Sequence, residues 1–82
     1  MSLQSPTTDI LDARKLLCPM PVIKTQNKIK TMHVGETLLV IASDPGVKQD
    51  IPSWCRINGH HVMETYTDNT DICIVIKIGS YS

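Results

Sequence analysis

The amino-acid sequence predicts an α/β (α+β) two-layer sandwich, with two helices on one face of a four-stranded mixed sheet. Two observations lead to this prediction. Strand-like and helix-like segments alternate twice along the chain, and two strand-like segments then follow each other, which gives the order β-α-β-α-β-β. The length of 82 residues suits one domain. We expect residues 1–8 to be a flexible polar leader and residues 9–82 to be that single domain.

The first three elements follow from the spacing of apolar side chains. Residues 10–13 read as a short strand. A largely apolar stripe then recurs at helical spacing in residues 19–32, which indicates an amphipathic helix ending before Gly35. Residues 37–42 form a continuous apolar run of strand length and predict a central strand.

The remaining elements begin at Asp44-Pro45, an N-cap residue followed by a proline suited to the first helical position. Helical spacing of apolar residues continues to Asn58-Gly59, and Pro52 is expected to kink this second helix or to split it. Residues 61–67 and 72–78 predict two strands joined by a tight turn at 68–70.

Composition excludes several classes of protein. Eight basic and eight acidic residues give a formal charge of zero, which does not support a nucleic-acid binder. The chain has no Phe, one Trp and two Tyr, so it lacks a platform for stacking bases, and we expect no direct nucleic-acid recognition. No stretch approaches the roughly 20 apolar residues that span a bilayer, so no membrane association is expected.

The three cysteines indicate the compartment. Cys18, Cys55 and Cys73 are odd in number, contain no CxxC pair and follow no apparent secretory signal. Free thiols in a reducing cytoplasm are the expected state. We expect no cofactor and no metal, because the adjacent His60 and His61 would point to opposite faces of a strand. Cys55 lies on an apolar helix stripe and is expected to pack in the core, and Cys73 lies in a strand run and is expected in core or edge packing.

The most informative segment is Leu17-Cys18-Pro19-Met20-Pro21, at the junction of the first strand and helix. With Cys18 as N-cap, Pro19 and Pro21 would occupy the first and third helical positions, where prolines are tolerated. A sulfur there would lie near the positive end of the helix dipole.

Cations surround this segment in the sequence. Five of the eight basic residues are Arg14, Lys15, Lys24, Lys28 and Lys30, and no carboxylate occurs between positions 13 and 35. A helix start with nearby cations lowers the pKa of a thiol, so Cys18 is predicted to be an exposed nucleophile. The alternative is a small buried core cysteine. A dithiol redox cycle would need a second cysteine at short spacing from Cys18, and the sequence has none there. Sulfur exchange through a persulfide requires neither a base nor a cofactor.

The motifs that carry a family resemblance are Asp12-Ala13, Cys18-Pro19-x-Pro21, Asp44-Pro45-Gly46, Asp50-Ile51-Pro52-x-Trp54-Cys55 and Gly59-His60. Between residues 10 and 78 the chain therefore resembles the TusA/SirA-like sulfur carriers. The resemblance implies a β-α-β-α-β-β sandwich and a cytoplasmic sulfurtransferase-type carrier with the persulfide on Cys18. It implies a co-substrate rather than a stand-alone enzyme, with Pro19, Pro21 and Asp12 as the supporting motif.

The resemblance also implies partners. A cysteine desulfurase or a rhodanese would donate the sulfur, and a relay protein would accept it, as in tRNA 2-thiouridine synthesis or related sulfur trafficking. Arg14, Lys15, Lys24 and Lys28 are candidates for the partner-binding surface, although a basic helix face is as often simply solvated. Lys15 stands where the family usually has glycine.

Two alternative functions remain open from the sequence. One is a non-catalytic interaction module in which Cys18 is a redox-sensitive thiol. The other is a thiol hydrolase, which would need a histidine within hydrogen-bond reach of Cys18. His33 follows the first helix at the end far from Cys18, and the sequence does not bring His60 or His61 close to it.

Overall fold

The computed structural model describes residues 8–17 and 19–79. It contains the six predicted elements in the predicted order, and their bounds are β1 (Asp9–Ala13), α1 (Met20–Ile29), β2 (Thr37–Ala42), α2 (Val47–Ile57), β3 (His61–Asp68) and β4 (Asp71–Lys77). Most of the expected leader, residues 1–7, lies outside the described residues. In the described part of the chain, neither helix has the length and apolar character needed to cross a bilayer.

The sheet is mixed, as predicted, and its strand order is β1-β2-β4-β3. β2 is parallel to β1, with Ala13 opposite Ala42, and antiparallel to β4, with Val40 opposite Ile74. β3 is the edge strand next to β4 in the described part of the chain, and a register shift interrupts their pairing between Val62 and Glu64. The carboxyl ends of β1 and β2 and the β3–β4 turn therefore lie at one end of the sheet.

The core lies between one face of the sheet and the two helices. Alternate residues of the central strands are buried on this face, as expected for a sheet covered on one side. The strands contribute Leu38, Val40, Ala42, Ile72, Ile74 and Ile76. The helices contribute Pro21, Thr25 and Ile29 from α1, and Val47, Ile51 and Cys55 from α2.

Both helices begin later than the sequence predicts. Pro19 is the N-cap of α1 and Met20 its first residue, so the assignment of Cys18 as N-cap and Pro19 as first helical residue is wrong. α2 has Gly46 as its N-cap. Asp44 instead caps the preceding turn, because its Oδ1 accepts a hydrogen bond of 2.9 Å from the Gly46 N–H. At α2, the capping aspartate and the proline that follows it mark the turn that leads into the helix, not the helix start itself.

Pro52 does not split α2, which runs without interruption from Val47 to Ile57. An internal proline removes one helical hydrogen bond and costs about 3 kcal/mol or more. Val47, Ile51 and Cys55 are fully buried along one side of this helix. Burying each such side chain contributes about 1.5–3 kcal/mol, so packing of this stripe outweighs the proline penalty.

Candidate functional site

The loop that joins β1 to α1 contains the predicted sulfur-carrying residue. Cys18 itself lies outside the described residues, but the residues on both sides of it are described. The Met20 N–H donates a hydrogen bond of 2.9 Å to the Leu17 carbonyl, and the Ile23 N–H donates one of 3.1 Å to the Pro19 carbonyl. The first bond connects the chain before Cys18 to α1, and the second belongs to the first turn of the helix.

Pro21 anchors the start of α1 in the core. It is buried, whereas Pro19 is exposed. The hydroxyl of the fully buried Thr25 donates a hydrogen bond of 2.8 Å to the Pro21 carbonyl. The two prolines of the motif therefore differ in role, since one packs inside the protein and the other faces solvent.

Asp12 and Arg14 form a two-pronged ion pair at the end of β1. The guanidinium donates to both carboxylate oxygens of Asp12 at 2.9 Å, and the Arg14 backbone N–H donates to Oδ1 at 3.1 Å. The side-chain bonds from Arg14, followed by the backbone bond, lower the pKa of the Asp12 carboxyl to about 2. Arg14 also lies 3.7 Å from a carboxylate oxygen of Asp71. The acidic residue of the motif thus orients the arginine across the end of the sheet.

Lys15 has a left-handed backbone conformation, with φ of +66°. Its N–H donates a hydrogen bond of 3.2 Å to the Ser43 hydroxyl, which joins the chain after β1 to the chain after β2. Glycine adopts this conformation without the steric cost that a Cβ brings. Lys15 therefore holds a backbone conformation that glycine would adopt at lower steric cost.

The four predicted partner-binding cations divide into two places. Arg14 and Lys15 line a cleft of about 480 Å³ with Asp12, Ser43, Thr70 and Asp71. Lys24 and Lys28 lie on α1, and the Lys28 ammonium is 3.4 Å from an Asp9 carboxylate oxygen. Carboxylates of this chain therefore partly neutralise Arg14 and Lys28.

Exposed apolar residues next to Cys18 were not predicted as part of the site. Leu17, Met20 and Ile23 all have large solvent-exposed side chains. The exposure of Met20 and Ile23 could have been inferred from their spacing, since both lie off the helix stripe that the sequence predicts to be buried.

The other two cysteines are buried: Cys55 belongs to the core cluster, whereas Cys73 lies on the opposite face of the sheet from Ile72 and Ile74. Cys55 and Cys73 are both buried, and burial raises the pKa of the Cys55 thiol to about 12. His60 is buried beside Trp54, with ring centroids 5.3 Å apart, whereas His61 is exposed. Among residues 8–17 and 19–79, no three His, Cys, Asp or Glu side chains are grouped to hold a metal ion.

Comparison with known proteins agrees with this architecture. The fold is similar to the crystal structure of the SirA-like protein from Desulfitobacterium hafniense, with a TM-score of 0.68. The two sequences are 21% identical, and the match covers 90% of this chain and 100% of that chain. The family model described as sulfurtransferase TusA matches residues 9–78, which include every element of the sheet, both helices and the motif around position 18. The chain therefore belongs to the TusA sulfurtransferase family.

Proposed function

We propose that this protein is a sulfur carrier that accepts persulfide sulfur on Cys18 and passes it to a relay protein. The observation that carries the proposal is the Cys18-Pro19-x-Pro21 motif at the β1–α1 junction, within the 9–78 match to a sulfurtransferase family. Of the three thiols, those of Cys55 and Cys73 are buried. Cys18 is the remaining candidate for exchange with another protein.

The transfer requires only thiol chemistry. The Cys18 thiolate attacks the outer sulfur of a donor persulfide, so that a new S–S bond forms and the donor's own S–S bond breaks. The donor leaves as a thiolate, and the proton stays on the transferred sulfur, which gives Cys18–S–SH. An acceptor thiolate attacks this outer sulfur in the second step and restores the Cys18 thiolate. No net oxidant is needed in either step.

The electrostatic surroundings support a thiolate at position 18. Cys18 precedes the N-cap residue of α1, and a helix N-terminus carries partial positive charge. Lys15 and Lys24 are exposed cations close in sequence, and no acidic residue occurs between Ala13 and Gly35. Positive charge of this kind lowers the pKa of cysteine thiols and raises the thiolate fraction.

The partners proposed are a cysteine desulfurase or a rhodanese as donor and a sulfur-relay protein as acceptor, in the cytoplasm. The protein then acts as a co-substrate of these enzymes. The end use proposed for the sulfur is synthesis of 2-thiouridine in tRNA, or a related route of sulfur trafficking. This chain is proposed to make no direct contact with the tRNA.

Intact-mass spectrometry with peptide mapping tests the proposal. The protein is incubated with a cysteine desulfurase, pyridoxal phosphate and cysteine, and the expected product carries one added sulfur on Cys18 that reductant removes. Cys18→Ser should gain no sulfur, while the matched variant Cys73→Ala should load as the wild type does. Sulfur acceptance that survives Cys18→Ser would refute the assignment. If Cys18 took up no sulfur, a non-catalytic interaction module with a redox-sensitive thiol would become the better interpretation of the function.

A further inference from the structure

We propose that Leu17, Met20 and Ile23 form an apolar patch on which the protein that donates persulfide sulfur to Cys18 docks. This inference rests on the proposed sulfur-carrier function and adds the contact surface to it. The cations predicted from the sequence would then flank the docking contact instead of forming its centre.

The exposure of these three side chains is the first observation. Leu17 is 76% exposed, Met20 42% and Ile23 40%, although all three occur within seven consecutive residues. Pro21, which lies between them in sequence, points into the core. Exposed apolar residues that occur singly need no explanation, but a cluster marks an interaction surface.

The covalent position of the patch is the second observation. Leu17 directly precedes Cys18, and Met20 is two residues beyond it. Consecutive Cα atoms are about 3.8 Å apart, so both residues lie within about 8 Å of the Cys18 Cα in any conformation. A protein that brings its own sulfur into contact with Cys18 must therefore cover these side chains and remove them from water.

The rest of the exposed side of α1 indicates the chemistry of the partner. Asn27 and Lys30 continue the stripe of Met20 and Ile23 at helical spacing, and Lys24 lies beside it. All three are exposed. Among the described residues, no carboxylate forms an ion pair with Lys24 or Lys30, in contrast to Lys28. The complementary surface is therefore an apolar recess with carboxylates along one side, and those charges steer the approach.

Two other exposed apolar residues provide a matched control. Val34 is 68% exposed in the turn after α1, and Ile57 is 82% exposed at the last residue of α2. Both are as apolar and as exposed as the patch residues. They lie at or just after the C-terminal ends of the two helices, whereas the patch lies at the N-terminal end of α1.

The experiment compares two donors. The double variant Leu17→Ser/Ile23→Ser and the control Val34→Ser/Ile57→Ser are loaded by a persulfidated cysteine desulfurase and, separately, by glutathione persulfide. The second-order rate constants of Cys18 loading are measured by mass spectrometry. Glutathione persulfide is too small to need the patch. We expect the ratio of protein-donor to small-donor rate constants to fall about tenfold or more in the patch variant, a loss typical of residues central to an interface.

The outcomes separate the two proposals. An unchanged ratio in the patch variant would overturn the docking patch, and so would an equal fall of the ratio in the control variant. The ratio also stays unchanged when both rate constants fall by the same factor, and the substitutions would then act on the thiol and not on docking. A wild-type protein that takes no sulfur on Cys18 from either donor would instead refute the sulfur-carrier function.

Discussion

The backbone N–H of Gly79 donates a hydrogen bond of 3.0 Å to Nδ1 of the buried His60. The His60 ring also stacks against Trp54 of α2, and its own backbone N–H donates to the Cys55 carbonyl at 2.8 Å. Nδ1 accepts this bond only when it carries no proton. The chain after β4 is thus tied to the end of α2 through a histidine held in its neutral form.

We predict from this arrangement that the protein is less stable in mild acid. Burial, followed by the nearby His61, lowers the pKa of His60 below 6.5. The folded state therefore binds this proton more weakly than the unfolded state, and the free energy of unfolding falls as the pH drops below about 6.5, until the folded-state pKa is passed. Urea denaturation at several pH values between about 8 and 5 measures the effect.

Two variants test whether His60 is the group that causes this pH dependence. His60→Gln should lower stability at neutral pH and flatten the profile in this window, whereas the exposed His61→Gln should keep most of the slope. Asp12 titrates with a pKa of about 2 in the folded protein and does not contribute above pH 5. A slope that persists in His60→Gln would show that another group is responsible.

Gly79→Ala is predicted to destabilise the fold strongly. A Cβ at this position would overlap the Gly59 carbonyl oxygen, which is backbone and has little freedom to move. Relief of the overlap would displace the N–H that bonds to His60. We expect a loss of about 2–3 kcal/mol in the free energy of unfolding, in the range of overpacking substitutions.

Gly35→Ala is the matched comparison for Gly79→Ala. Gly35 has φ of +93°, but no atom outside its chain neighbours lies within 4 Å of an added Cβ. Its substitution should cost only the backbone strain, about 1–2 kcal/mol. Equal losses from the two variants in chemical denaturation would mean that the close approach of Gly79 to Gly59 is not the cause.

Lys15→Gly is predicted to be more stable than Lys15→Ala by about 1 kcal/mol. Both variants remove the ammonium group, but only glycine relieves the left-handed backbone at this position. The gain is moderated because glycine also increases the freedom of the unfolded chain. Denaturation of the two variants under identical conditions gives the difference. A Lys15→Ala protein as stable as Lys15→Gly would contradict the assigned conformation.

The Cys18→Ser variant is predicted to resist alkylation by iodoacetamide while it is folded. Cys55 and Cys73 are buried, and the Cys55 thiol has a pKa of about 12, so its thiolate is scarce near neutral pH. Mass spectrometry should find at most traces of adduct in the folded variant and two adducts after denaturation. Rapid alkylation of the folded variant would mean that the core opens readily.

The sequence predicts the sheet well because the strand signals come from burial. Residues 37–42 form the observed β2, since an unbroken apolar run has few other placements in a small domain. The pairing order was not predictable, because apolar patterns show which residues are buried but not which strand lies beside which. The apolar run in β4 is typical of a central strand, as in β2, but it does not show that β2 and β3 lie on its two sides.

Predictions failed where local and tertiary preferences compete. Pro52 is a helix breaker by local rules, yet the buried stripe of α2 keeps the helix continuous through it. Asp44-Pro45 resembles a helix start, but Asp44 caps a turn instead. For the candidate site, the sequence predicts Cys18 and its motif. It could not show that Asp12 and Asp71 both engage Arg14, because that contact depends on the fold of the β3–β4 turn.

The strand order also has a consequence for synthesis of the chain on the ribosome. β3 leaves the ribosome before β4, but β4 is its only neighbour in the sheet among the described residues. Until β4 emerges, β3 has no partner and β2 has only β1, so the nascent chain exposes two strand edges and the apolar face of β2. Folding must then wait for β4 and close the sheet in one late step, built from long-range contacts that form slowly. The loop between β1 and α1, although it is synthesised early, gains its folded support only when that last strand is inserted.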